Sequence, residues 1–131
     1  MAASSNHRRR EYNPVMESVL TSLRAAVVVV DAEMRVQIWN GRAEELWGLH
    51  ADEVVGRSVL TLDIGLPVEE LTAPLRRSVT GESGGEERVL AAHNRRGRTI
   101  ACRVTFAPLL ERSVPHGAVM LMEEVVPDPT D

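Results

Sequence analysis

Thiols, large rings and long apolar runs are scarce in this chain, and each scarcity excludes something. One cysteine in 131 residues, Cys102, cannot close an internal disulfide, and the four histidines, His7, His50, His93 and His116, are scattered without the spacing of a metal site. The longest apolar run, residues 25–30, is far too short to span a bilayer, and the N-terminus lacks the apolar stretch of a secretory signal, so no membrane partner and a cytoplasmic location are expected. Positive charge is not in excess. A net charge of −4 argues against nucleic acid as a general partner, and the basic run His7-Arg8-Arg9-Arg10 reads as a solvated arm. Hydrolase elbow, phosphate loop and metal motif are all missing. The adjacent carboxylates Glu44-Glu45, Glu69-Glu70, Glu86-Glu87 and Glu123-Glu124 diverge on any helix or strand, so none of these pairs can flank a substrate by itself. The chain is not expected to be an enzyme.

What is present suits one domain: 44% hydrophobic and 26% charged residues, with both tryptophans in the single stretch "RVQIWNGRAEELWGL". Residues 1–12 are polar, small and basic and are expected to be a disordered arm. Asn13-Pro14 then opens a helix over 13–24, whose apolar stripe is Met16, Val19, Leu20 and Leu23. Consecutive β-branched residues at 26–30, a polar connection at 31–34 and alternation at 35–39 predict a β-hairpin. Alternation also assigns faces, Val36 and Ile38 to one side, Gln37 and Trp39 to the other. At Asn40 the period changes to helical, since Ala43, Leu46 and Trp47 fall at i, i+3 and i+4 between a capping Asn40 and a terminating Gly48.

A second small helix at about 51–55 is closed by Gly56, and the stripe Val68, Leu71, Leu75 and Val79 predicts a further helix, with a kink or restart at Pro74. Residues 82–86 form a Gly-rich loop. Residues 88–92 and 99–106 predict strands around the turn signal Asn94-Arg95-Arg96-Gly97, with Pro108 closing the second, and His116-Gly117 opens a last strand over 118–123. The order of helix, two strands, several small helices and three strands implies an α+β fold, an antiparallel sheet with helices on one face.

In that order, "VVVVDAEMRVQIWNGRAEELWGLHADEVVGRSV", "NRRGRTIACRVTFAPL" and "GAVMLMEE" resemble a PAS domain, a sensory module of bacterial signalling. The resemblance implies a five-stranded antiparallel sheet over residues 25–125, with an N-terminal flanking helix before it and a tail at 126–131. Details such as "WNGRAEELWGL", "LDIGLPVEEL" and "HNRRGR" are most similar to the PAS segment of chemotaxis-type methyltransferase and methylesterase hybrids and of related sensor histidine kinases of two-component systems. His50 departs from the family's usual Ser or Thr cap, which leaves open how the following helix is capped.

PAS modules often enclose an apolar pocket, and some hold haem or flavin. Haem-binding members use a histidine on the long helix, which residues 68–80 lack, and light-sensing flavin members use a helical cysteine, whereas Cys102 lies on a predicted strand; neither cofactor is expected. Cys102 reads as a small buried hydrophobe. Two binding readings follow. A small apolar ligand could sit among Val28, Val36, Ile38, Leu46, Ile100, Cys102, Val104, Met120 and Met122, or those positions are filled core and the module acts by dimerisation and relay to a signalling effector. The resemblance implies a homodimer built on the N-terminal helix and the outer sheet face, so the expected interface is Met16, Val19, Leu20, Leu23 and Trp39.

Overall fold

The computed structural model describes residues 25–82 and 85–125. The expected arm, the helix carrying Met16, Val19, Leu20 and Leu23, and the tail lie outside the described residues.

Five strands form one antiparallel sheet in the order β2-β1-β5-β4-β3: β1 Ala26–Asp31, β2 Val36–Trp39, β3 Glu86–His93, β4 Thr99–Glu111 and β5 Val114–Val125. Between β2 and β3 the chain forms helix α1 (Gly41–Trp47), helix α2 (Ala51–Val54), 3₁₀ turns at Val59–Thr61 and Val68–Leu71, and helix α3 (Thr72–Val79). Two strands, a block of helices and three strands thus reproduce the expected α+β order.

Asp31 makes the first hairpin. One carboxylate oxygen accepts from the Glu33 and Arg35 amides, both at 2.9 Å, and the turn places Met34 at φ 69°. The strand that follows is irregular. Val30 pairs with Val36 and Val29 with Ile38, so Gln37 is an extra residue without a ladder partner. This β-bulge overturns the face assignment made from alternation, because one inserted residue reverses the parity of everything beyond it. Val36 and Trp39 therefore share the core face, opposite Val30 and Val28, while Ile38 lies opposite Val29 on the outer face. Trp39 is 4% exposed.

Pro74 acts as expected of a restart. The 3₁₀ turn ends at Leu71 and α3 begins at Thr72, so Pro74 falls in the first helical turn, where its missing N–H would have had no partner. The last hairpin differs from expectation: β4 runs past Pro108 to Glu111, and β5 starts at Val114, before His116-Gly117. Proline is tolerated there because β3 ends its pairing at Phe106, leaving β4 with a neighbour on one side only.

The core lies between the sheet and the helices. Ala26, Val28 and Val30 of β1, Leu90 and Ala92 of β3, Ile100, Cys102, Val104 and Phe106 of β4, and Ala118, Met120 and Met122 of β5 form its floor. Leu46, Trp47, Val54, Val59, Leu71 and Leu75 close it from above. The connection at residue 65 is pinned to the end of β3, where the Gly65 carbonyl accepts from His93 N–H at 2.8 Å and the backbones approach so closely that a Cβ on Gly65 would collide with the His93 carbonyl.

Candidate functional site

Asn40 is where the hairpin becomes α1. Its Oδ1 accepts from Ala43 N–H at 3.0 Å, the helix cap expected from the sequence, and also from Val27 N–H at 2.9 Å. Its Nδ2 donates to the Ala25 carbonyl at 3.1 Å, and its own N–H donates to the Val27 carbonyl at 3.2 Å. The side chain continues the β2 ladder along β1 after the backbone has turned away into the helix. Gly48 ends α1 at φ 82°, its N–H donating to Glu44 O at 2.8 Å. Gly56, at φ 89°, returns the chain to β2 by donating to Val36 O at 2.8 Å.

The cap left open at His50 is supplied by carboxylates. Glu53 Oε2 accepts from the His50 amide at 2.6 Å and Glu44 Oε2 from the Ala51 amide at 2.7 Å. Both tryptophans fasten the end of α1. Trp39 Nε1 donates to Leu49 O at 2.8 Å, and Trp47 Nε1 points at Met122 Sδ at 3.4 Å.

Of the residues expected around a pocket, Val28, Val36, Leu46, Ile100, Cys102, Val104, Met120 and Met122 belong to one buried cluster. Ile38 does not, for the reason given by the bulge. Trp39 occupies the place that alternation assigned to Ile38, and Phe106, Leu71 and Leu75, each fully buried, pack into the same volume. Ser78 of α3 is also fully buried, and its Oγ has no hydrogen-bond partner. Burial, before any other cause, pushes the Cys102 thiol up to about 12.

The opposite face of the sheet presents Val27 and Val29 of β1, Ile38 of β2, and Val119 and Leu121 of β5, the last three half-buried. Trp39, expected on this face, is not part of it.

A cleft of about 650 Å³ lies at the edge of the core, between α1 and the β3–β4 turn. It is lined by Arg42, Glu45 and Leu46 from α1, by Asn94, Arg95, Arg96, Arg98, Thr99 and Ile100 from the hairpin, and by Glu124 and Val125 from β5. Only Leu46 and Ile100 belong also to the expected pocket. Turn chemistry alone accounts for Asn94-Arg95-Arg96-Gly97 in the sequence, although three arginines within four residues of an acidic chain are a visible signal.

A five-stranded antiparallel sheet in this order, with a block of small helices over one face, defines an α+β architecture. The PAS family model, described as the PAS fold, matches residues 15–125, and the chain belongs to that family. Solved structures agree on the fold. The PAS domain of the histidine kinase ThkA is 21% identical at a TM-score of 0.61, with 76% of this chain and 97% of that one covered. The PAS domain of the Cronobacter turicensis quorum-sensing receptor RpfR, in complex with BDSF, is 24% identical at 0.58, covering 79% and 95%. Vibrio cholerae VqmA, a dimer with a DNA target, is 18% identical at 0.69, covering 83% of this chain and 51% of that one. No curated protein matches the chain.

Proposed function

We propose that the chain is a sensory and regulatory module of bacterial signal transduction that acts as a homodimer and relays to a signalling effector domain or protein. The observation that carries this reading is the outer sheet face, on the side away from the helices, where Ile38, Val119 and Leu121 are half-buried beside the buried Val27 and Val29. The stripe Met16, Val19, Leu20 and Leu23 is a matching cover in sequence, and the interface is assigned to these two surfaces, with Ile38 in the place first given to Trp39. Light scattering tests it. The full chain should be dimeric at tens of micromolar, and Leu121→Arg should give monomers with the fold retained, because a charge on that face is costly to bury. A full chain that is already monomeric at that concentration removes the proposal.

The second reading, a small apolar ligand in the core, draws support from the receptor PAS domain in complex with BDSF. The fully buried Phe106, Leu71 and Leu75 favour a filled core instead. Native mass spectrometry of gently purified protein separates the two, since a persistent extra mass identifies the ligand.

The module is proposed to carry no catalysis of its own and no haem or flavin. Thr72–Val79 contains no histidine, and the only thiol is a strand residue held protonated by burial. An output other than nucleic acid is proposed with it on the net charge of −4, and a cytoplasmic setting on the shortness of the longest apolar run, residues 25–30. Among the described residues no helix is long and apolar enough to cross a membrane. The likeness of "WNGRAEELWGL" and "HNRRGR" to segments of chemotaxis-type hybrids and sensor kinases supports an output of that kind.

A further inference from the structure

The β3–β4 turn is a rigid frame. Asn94 Oδ1 accepts from the Arg96 and Arg98 amides, both at 3.0 Å, Asn94 N–H donates to Arg98 O at 3.0 Å, and Gly97 N–H donates to Asn94 O at 2.9 Å. The frame is fastened to the end of α1, where Arg95 N–H donates to Leu46 O at 3.0 Å. A Cβ added to Gly48 would stand 3.1 Å from that of Arg95, so the glycine that ends α1 also lets the turn dock.

These backbone bonds leave the three turn side chains without a structural task. Arg95, Arg96 and Arg98 are exposed, and no ion pair among the described residues engages them, whereas Arg42 across the cleft has Glu45 at 3.2 Å. The cleft holds Arg42, Arg95, Arg96 and Arg98 against Glu45 and Glu124, four positive charges against two negative, and therefore an excess of two in a chain of net charge −4. Leu46 and Ile100 also line it, and at 3% and 8% exposed they offer only their edges.

We propose that this cleft binds a phosphorylated small molecule, with the phosphate monoester dianion held by the turn arginines and the organic part touching the exposed edges of Leu46 and Ile100. Two charges match the local excess. Several guanidinium forks on one fixed turn suit three terminal oxygens better than the two of a carboxylate, which also carries a single charge. The volume is within the range of small-molecule sites. This site is separate from the sheet faces on which the proposed signalling role rests, so either reading can fail without the other.

The test is a titration of ¹⁵N-labelled full chain with phenyl phosphate, inorganic phosphate and benzoate at constant low ionic strength. Phenyl phosphate should give saturable amide shifts confined to Arg42 and residues 94–99, with benzoate at least about tenfold weaker and inorganic phosphate weaker by the lost apolar contact. The Arg95→Gln/Arg98→Gln double variant should lose at least about tenfold in affinity without a change in melting midpoint, since both side chains are exposed. Should that variant unfold, Arg96→Gln, whose side chain the turn does not use, reads the same loss. The proposal is overturned by the absence of saturable shifts at about 20 mM phenyl phosphate, by an unchanged affinity in the folded variants, or by benzoate binding as tightly as phenyl phosphate.

Discussion

Asn40 shows how much one side chain can be asked to do. A lost helix cap costs about 1 kcal/mol. Asn40→Ala also strands the Val27 amide and the Ala25 carbonyl, whose bonds to Asn40 are buried, and each orphan adds about 1 kcal/mol or more. The total expected loss is about 3 kcal/mol by denaturant unfolding. Asn40→Asp keeps the acceptor but sets a carboxylate oxygen against Ala25 O, so it should fall between wild type and alanine only if capping dominates. Ser78→Ala should be neutral or stabilising by about 1 kcal/mol, because it removes a buried hydroxyl that has no partner. For Cys102 the sign follows from burial. Its folded pKa is raised, so the stability associated with the neutral thiol is intact below the unfolded value of 9.0 and declines as pH rises toward about 12, while the unfolded chain ionises first. Native protein at pH 8 should accordingly resist alkylation at Cys102 until denaturant is added.

At the scale of elements, the bulge at Gln37 decides which ring is core. Inserting one alanine between Ile38 and Trp39 should flip the indole outward, red-shift its emission in a Trp47→Phe background and cost several kcal/mol. Deleting Gln37 should cost far less, since the ladder from Val36 through Ile38 to Trp39 then becomes regular against β1. The same bulge explains what could be read from the sequence. Helix starts and stops at Asn40, Gly48 and Gly56, the restart before Pro74 and the buried alternation of β4 all follow from local rules, and all are found. Bulges are not local. Nothing in "RVQIWN" marks Gln37 as the supernumerary residue, because the choice is made by pairing with β1 and by the Leu49 carbonyl waiting for the indole N–H. The arginine cleft escaped for the same reason: its walls come from α1, the β3–β4 turn and β5, brought together only by the sheet order.

For the whole molecule, the burial of Trp39 changes what truncation should show. With the ring held in the core of its own chain, removing residues 1–24 should leave the Trp39 emission unchanged while a dimer dissociates, so fluorescence and light scattering become independent readouts of fold and assembly. With the proposed assembly on the outer face and the core on the helical face, substitutions on one should add to those on the other with little coupling.

The adjacency of β1 and β5 has a mechanical side. They run antiparallel with Ala26 opposite Met122, so the chain joins and leaves the domain at the same end of the sheet. Tension applied through residues 25 and 125 would therefore open that ladder one rung at a time instead of loading all its rungs in shear. In single-molecule pulling the domain should yield at low force from this end, and a covalent link between positions 26 and 122 should abolish that event, because the load then passes through the link and bypasses residues 27–121.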